Sequence, residues 1–153
     1  MKCRILNEGE SSLLREMLEE KFIRTDSEVF QYRIKNKRSF SDGFHSSGYL
    51  WDCLKDYQKI SERALYLKLE AIGTFYVTAD DLSRDQVLNE RLWPFKRESV
   101  AEFSYEEFYT VRDRLPEDLY FFTGEMDFML VLTHEEDDKR RICLYVGEGD
   151  KKL

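Results

Sequence analysis

The strongest hydrophobic pattern of the chain lies in its C-terminal part, between residues 118 and 146. Three apolar stretches there, near 118–122, 127–134 and 141–147, have the length of strands and are rich in Leu, Val, Phe and Tyr. The last two are separated by a short charged segment and are predicted to form a hairpin. Both faces of the middle stretch are apolar, so we expect it to be covered on both sides or to lie centrally in a sheet.

Two segments show the three- and four-residue spacing of an amphipathic helix. In the first, about 12–23, apolar side chains recur at these steps with charged residues between them, and Ser11 or Ser12 is expected to be the N-cap. In the second, 82–92, Asp81 is positioned as the N-cap. A Trp-Pro pair must end this helix, because the residue before a proline is disfavoured in helical geometry.

Two further segments are assigned to helices by the residues at their ends. Residues 104–114 begin with Ser104 and a glutamate three positions later, which fits a capping box, and a proline follows the segment. Residues 61–72 alternate like a strand, but they consist mostly of helix formers and also keep helical spacing. Ser61 can cap the start and Gly73 can adopt the left-handed conformation at the end, so we predict a helix there.

Shorter patterns complete the predicted fold. Residues 28–36 alternate between apolar and polar side chains, as a half-buried strand does, and residues 74–79 are predicted as another strand. The short apolar segment 49–54 fits a strand or the start of a helix, and we favour a strand. Residues 36–48 contain Asn, Ser, Asp and Gly and predict a loop. The fold class is therefore α+β, a mainly antiparallel sheet of about four to six strands with helices packed on it.

Composition and charge restrict the classes of function. The chain has 153 residues, 42% hydrophobic and 36% charged, so one globular domain over residues 1–153 is expected. A formal net charge of −7 disfavours nucleic acid as a partner and favours a basic protein. No apolar stretch fits a transmembrane helix or a signal peptide, so no membrane association is expected. Three widely spaced cysteines indicate reduced thiols and a cytoplasmic location.

His134 is the first candidate for chemistry. It ends a predicted strand and precedes Glu135 and three further acidic residues, so it could bind a divalent metal or act as a general base. The other histidine, His45, lies in a distant predicted loop, whereas metal ligands usually converge from separate elements. We therefore predict an exposed, charged hairpin turn over 134–138 that discourages edge pairing, with no metal and no cofactor.

Two other places contain residue types that carry chemistry or recognition. Asp80 and Asp81 follow a predicted strand, where carboxylates can hold a catalytic metal, but a predicted helix begins next and we interpret them as helix caps. Phe44, Tyr49 and Trp51 belong to a loop and the segment after it, and they are the residue types that anchor protein partners. The same loop contains serines and a histidine, but no nucleophile elbow, so we expect structure or recognition there rather than catalysis.

Four short segments follow one another in an informative order: Tyr49-Leu-Trp51, Phe75-Tyr-Val77, Asp118-Leu-Tyr120 and the stretch 127–135, which ends in Thr-His-Glu. This order resembles a family of small uncharacterised bacterial proteins, in which a Leu-Trp segment precedes a helix and an Asp-Leu-Tyr strand leads into an aromatic strand ending in Thr-His-Glu. The chain also resembles immunity-type proteins, which neutralise toxins encoded in neighbouring operons. The resemblance implies a toxin as partner and brings no catalytic residues.

These observations favour one function over two others. The first is a small acidic cytoplasmic protein-binding module of the immunity type, without catalysis. The second is a metal-dependent hydrolase or nuclease that uses His134 and nearby carboxylates. The third is a structural or oligomer-forming module in which edge strands of different chains pair.

Overall fold

A seven-stranded sheet forms the centre of the computed structural model, and all its strand pairs are antiparallel. The structure describes residues 3–34, 38–40, 43–45, 49–80 and 99–147, with the backbone alone described for 33, 34, 38–40 and 43–45. The strands of the sheet are, in spatial order, β1 (Arg4–Ile5), β6 (Ala101–Ser104), β5 (Thr74–Ala79), β7 (Leu119–Phe122), β8 (Phe128–Asp137), β9 (Arg140–Gly147) and β4 (Tyr57–Ile60). This architecture confirms the α+β prediction, with more strands than the four to six that the sequence patterns indicated.

The first helix, α1 (Glu8–Phe22), begins earlier than predicted. Its N-cap is Asn7, whose side-chain oxygen accepts a hydrogen bond from the backbone N–H of Glu10 at 2.8 Å. Ser11 is a buried residue inside the helix, and its hydroxyl accepts from the backbone N–H of Val100 at 3.0 Å. The prediction of Ser11 or Ser12 as the cap was wrong, because a serine one turn inside a helix can serve a tertiary contact equally well.

The other two α-helices within the described residues agree with the prediction. In α2 (Glu62–Ile72), the hydroxyl of Ser61 accepts from the backbone N–H of Ala64 at 3.0 Å, and Gly73 adopts a φ of 84° at the C-terminal end. Helix α3 (Tyr105–Val111) is capped by Ser104 and continues into a 3₁₀ turn, Arg112–Arg114. The local capping signals therefore identified both helices correctly.

Three predictions of local structure were wrong. Residues predicted as a strand over 28–36 contain a π-helix, Phe30–Ile34, because Ser27 accepts a hydrogen bond from the backbone N–H of Phe30 at 3.2 Å and starts a helical turn. The predicted strand 49–54 is a 3₁₀ helix, Leu50–Cys53. The predicted loop 36–48 contains two short paired strands, β2 (Arg38–Phe40) and β3 (Gly43–His45). The predicted helix 82–92 and its cap Asp81 lie outside the described residues.

Both faces of the sheet are covered. On the face that we call the α2–α3 face, the two helices enclose an apolar cluster that includes Leu65, Leu69 and Phe108. On the opposite face, which we call the α1 face, α1 and the 3₁₀ helix Leu50–Cys53 cover a cluster that includes Leu18 and Phe22. Among the helices of the described ranges, none combines the length and the apolar character needed to span a bilayer.

Candidate functional site

The candidate site lies at the end of the sheet where β5 and β8 finish and β7 begins. Asp80 directly follows β5, Asp118 directly precedes β7, and the backbone N–H of Asp80 donates to the carbonyl of Asp118 at 2.9 Å. Since β7 pairs antiparallel with β8 and Leu119 faces Leu132, the residue before β7 comes next to the last part of β8, where His134 lies. Residues distant in sequence are thereby collected at one edge of the fold.

His134 and Asp118 form a close pair. Nδ1 of His134 lies 2.9 and 3.0 Å from the two carboxylate oxygens of Asp118, and the backbone N–H of His134 donates to one of them at 2.9 Å. Asp118 is 0% exposed, whereas 32% of the His134 side chain is exposed. A carboxylate only accepts hydrogen bonds, so a neutral His134 paired with it carries its proton on Nδ1 and its lone pair on Nε2.

An irregular pairing of β8 with β9 determines where His134 lies. Leu132 faces Cys143 and Glu136 faces Arg141, so four steps along β8 correspond to two steps along β9. The guanidinium of Arg141 donates to the carbonyl of Thr133 at 3.0 Å and holds this bulge. Bulges change the direction of side chains next to functional sites, and this one lies at the position of His134.

The structure corrects the prediction of a charged turn over 134–138. Strand β8 continues through Asp137, and Asp137 pairs with Arg140. The turn consists of Asp138 and Lys139, which have φ angles of 50° and 65°. Glu135 is exposed on the strand. Glu135, Glu136 and Asp137 extend the strand, because Arg141 and Arg140 of β9 pair with Glu136 and Asp137, which a reading of charge alone cannot show.

Two aromatic side chains contact His134. Tyr49 and Trp51 stack on each other with ring centroids 5.1 Å apart, and their centroids lie 5.2 and 6.2 Å from the imidazole. Both aromatic side chains are half-buried. We call Tyr49, Trp51 and His134 the aromatic–histidine group. It unites two candidates, the aromatic segment and the hairpin histidine, that the sequence presented separately.

Asp80 holds the backbone of this aromatic segment. Its Oδ2 accepts from the backbone N–H of Leu50 at 2.9 Å and from the hydroxyl of Tyr120 at 2.6 Å. The hydroxyl of Tyr120 in turn accepts from the backbone N–H of Trp51 at 2.9 Å. Burial, together with the Asp80 carboxylate, raises the pKa of Tyr120 well above its ordinary value, so the phenol stays protonated and able to donate.

A cavity of about 490 Å³ lies beside His134. Helices α2 and α3, the 3₁₀ turn after α3 and the strands β8 and β9 contribute to its walls. The charged and aromatic residues that line it, besides His134, are Glu62, Tyr66, Tyr109, Arg112, Asp113, Glu117, Glu136 and Arg141. Four carboxylates thus face two guanidinium groups, which makes the cavity acidic.

Each of the two arginines of the cavity makes contacts with the protein itself. The guanidinium carbon of Arg112 lies 3.6 Å from the centre of the Tyr109 ring, and Arg112 also donates to the carbonyl of Tyr109. Arg141 donates to the carbonyl of Glu117 at 2.6 Å in addition to that of Thr133. Burial, and the nearby Glu62 carboxylate, raise the pKa of Tyr66, so this phenol remains neutral in the cavity.

Comparison of the chain with protein-family models, with curated proteins and with solved structures finds no match. Phe44 and His45 lie in β3, where the backbone alone is described, and Asp81 lies outside the described ranges. Within the part of the chain that is described, no three His, Cys, Asp or Glu side chains are grouped as metal ligands.

Asp118 is the site residue that sequence reasoning missed. The segment Asp118-Leu-Tyr120 was recognisable only as part of a resemblance, without a role for its carboxylate. The signal that identifies it is the register of two antiparallel strands, because the residue just before β7 must lie opposite the end of β8. That register follows from pairing across the sheet and is not encoded in any local pattern.

Proposed function

We propose that the protein is a protein-binding module whose partner contacts the aromatic–histidine group and the acidic cavity beside it. The observation that supports this proposal is the stacking of Tyr49 and Trp51 next to a partly exposed His134. Tyrosine and tryptophan are enriched among the few residues that carry most of the binding energy of protein interfaces, because they bury large areas.

The backbone under these side chains is held in place before any partner binds. Asp80 and Tyr120 fix the N–H groups of Leu50 and Trp51 through three hydrogen bonds of 2.6 to 2.9 Å. Binding therefore costs little conformational entropy at this segment, which favours affinity. An aromatic pair displayed on an ordered backbone is the arrangement that a recognition surface requires.

Charge indicates the chemistry of the partner. The cavity next to the aromatic–histidine group has four carboxylates and two guanidinium groups, and the whole chain has a net charge of −7. A basic segment of a partner protein complements this surface and would be attracted to it over a distance of about 10 Å at moderate salt. A toxin neutralised by binding, the partner implied by the sequence resemblance, belongs to this class. We also propose a cytoplasmic location, supported by three free cysteines.

The test compares two exposed or half-exposed tyrosines. The immobilised chain captures proteins from a lysate of its source cells, and a captured basic protein is then purified and its dissociation constant is measured at increasing salt. We expect Tyr49→Ala to weaken binding by about 30-fold. Tyr57→Ala, on edge strand β4 with 57% of the residue exposed, is the matched control and should leave binding unchanged. Equal affinities of the two variants, or affinity that does not fall with salt, would contradict the proposal.

A further inference from the structure

We infer that His134 is also a catalytic residue, a general base that activates water for the hydrolysis of a neutral carboxylic ester bound in the cavity. This activity goes beyond partner binding and does not depend on it. It rests on the pairing of His134 with a fully buried carboxylate and on the cavity that the imidazole lines.

The pairing with Asp118 determines which nitrogen of the imidazole can act as a base. Its Nδ1 lies 3.0 and 2.9 Å from the two carboxylate oxygens of Asp118. Within the described residues, no hydrogen bond involves Nε2. The lone pair of the neutral ring is therefore on Nε2, which can accept a proton. Tyr49 and Trp51 pack against the ring and restrict its rotation.

The carboxylate of Asp118 supports this role through its burial. It is 0% exposed, so water does not screen its interaction with the imidazolium that forms when Nε2 takes a proton. Arg141 is a positioning residue for the pair, because its guanidinium donates both to the carbonyl of Glu117 and to the carbonyl of Thr133. These carbonyls immediately precede Asp118 and His134, so one side chain holds both halves of the pair.

The lining of the cavity indicates the class of substrate. Four carboxylates repel phosphates and other anions, so a neutral acyl group is favoured. A volume of about 490 Å³ accommodates a small ester. A guanidinium has five N–H donors, and the contacts of Arg141 with two carbonyls leave donors for the negative charge that develops on the acyl oxygen.

The reaction needs no cofactor and no oxidant. The oxygen of a water molecule bonds to the acyl carbon while Nε2 of His134 takes one of its protons. The tetrahedral intermediate then breaks the bond between the acyl carbon and the ester oxygen, and the leaving oxygen takes the proton back from the imidazolium or from solvent. One ester and one water become one carboxylic acid and one alcohol, and His134 returns to its neutral form.

The experiment measures the hydrolysis of p-nitrophenyl acetate by the full chain, with an equal concentration of free imidazole as the reference. We expect a rate at least about tenfold above that of imidazole at the same pH. His134→Gln should lower the excess rate by about 100-fold, and Asp118→Asn by about tenfold, because a neutral amide does not stabilise the imidazolium. His45→Gln removes the other histidine and should have no effect.

Several outcomes would overturn the inference. A wild-type rate no higher than that of free imidazole would overturn it. This outcome needs no variant, so it can be observed even if a substitution prevents folding. A loss of activity in His45→Gln as large as in His134→Gln would assign the reaction to the other histidine. Activity retained by a His134→Gln chain whose thermal melting shows that it is folded would make the pair purely structural.

Discussion

The two faces of the sheet are closed by different interactions. On the α2–α3 face, Phe108 meets Phe75, Phe103 and Phe121 edge to face, with ring centroids 5.1 to 6.5 Å apart. The α1 face also buries polar side chains: Arg15 donates to the hydroxyl of Thr78 at 2.6 Å. Apolar contacts tolerate many arrangements, whereas each polar contact requires one partner at one distance.

The candidate site lies where these two faces meet. Its aromatic segment belongs to the α1 face, because Asp80 and Tyr120 hold it there, whereas its cavity is lined by α2 and α3. His134 contacts both sides, since the bulge in β8 places it at the end of the sheet. Both faces bury an apolar cluster, and the buried hydrogen bonds of the α1 face add the specific geometry that a site needs.

The largest effect is expected on the α2–α3 face. Phe108→Ala removes a ring that is 0% exposed and contacts three other phenylalanines, so it leaves a cavity in the apolar cluster. We expect the free energy of unfolding in urea to fall by about 3–5 kcal/mol. Leu13→Ala, on α1 with 58% of the residue exposed, should change it by less than about 0.5 kcal/mol. A loss below about 1 kcal/mol for Phe108→Ala would contradict a tightly packed apolar cluster on this face.

A smaller effect is expected at the buried hydrogen bonds of the α1 face. Asp80→Ala leaves the hydroxyl of Tyr120 and the N–H of Leu50 without this acceptor. We therefore expect the free energy of unfolding in urea to fall by about 2–3 kcal/mol. Tyr120→Phe should lower the same free energy by about 1–2 kcal/mol. The two substitutions remove the same hydrogen bond, so in a double-mutant cycle the double variant should lose about 1 kcal/mol less than the sum. Strictly additive losses would mean that the two side chains do not act together.

Local signals explain why α2 was predicted correctly and why other elements were not. Ser61 and Gly73 mark the ends of α2 within the segment itself, so no information from the rest of the chain is needed. The segment 49–54 has no such marks. Its 3₁₀ form depends on hydrogen bonds with Asp80 and Tyr120, which lie 30 and 69 positions away from their partners.

The site could be predicted only in part for the same reason. His134, Tyr49 and Trp51 were recognisable as residue types, but their contacts depend on the bulge in β8 and on the 3₁₀ helix. The role of Asp118 depends on the register of β7 against β8. Periodicity identifies which face of an element is buried, whereas register and bulges follow from the pairing of strands distant in sequence.

Two buried cysteines allow the two faces to be compared directly. Cys53 lies in the cluster of the α1 face and Cys143 in that of the α2–α3 face. Burial raises the pKa of both thiols from 9.0 to about 12. Because the folded pKa is the higher one, both thiols stabilise the fold fully below pH 9, and this contribution is lost as the pH rises from 9 towards 12.

The smallest effect is expected in the rates at which these two thiols react at pH 8. The thiolate is the reactive form of a cysteine. Because both thiols are buried, each must first become exposed by a local opening of the fold. Cys53 belongs to a four-residue 3₁₀ helix, whereas Cys143 lies within β9, which pairs with strands on both sides. We therefore expect iodoacetamide to label Cys53 about tenfold faster than Cys143, a difference of about 1.4 kcal/mol in the free energy of opening. Peptide mass spectrometry gives both rates from one sample, and labelling in denaturant is the control, in which the two rates should be similar. Equal rates in the native protein would mean that the α1 face opens no more easily than the α2–α3 face.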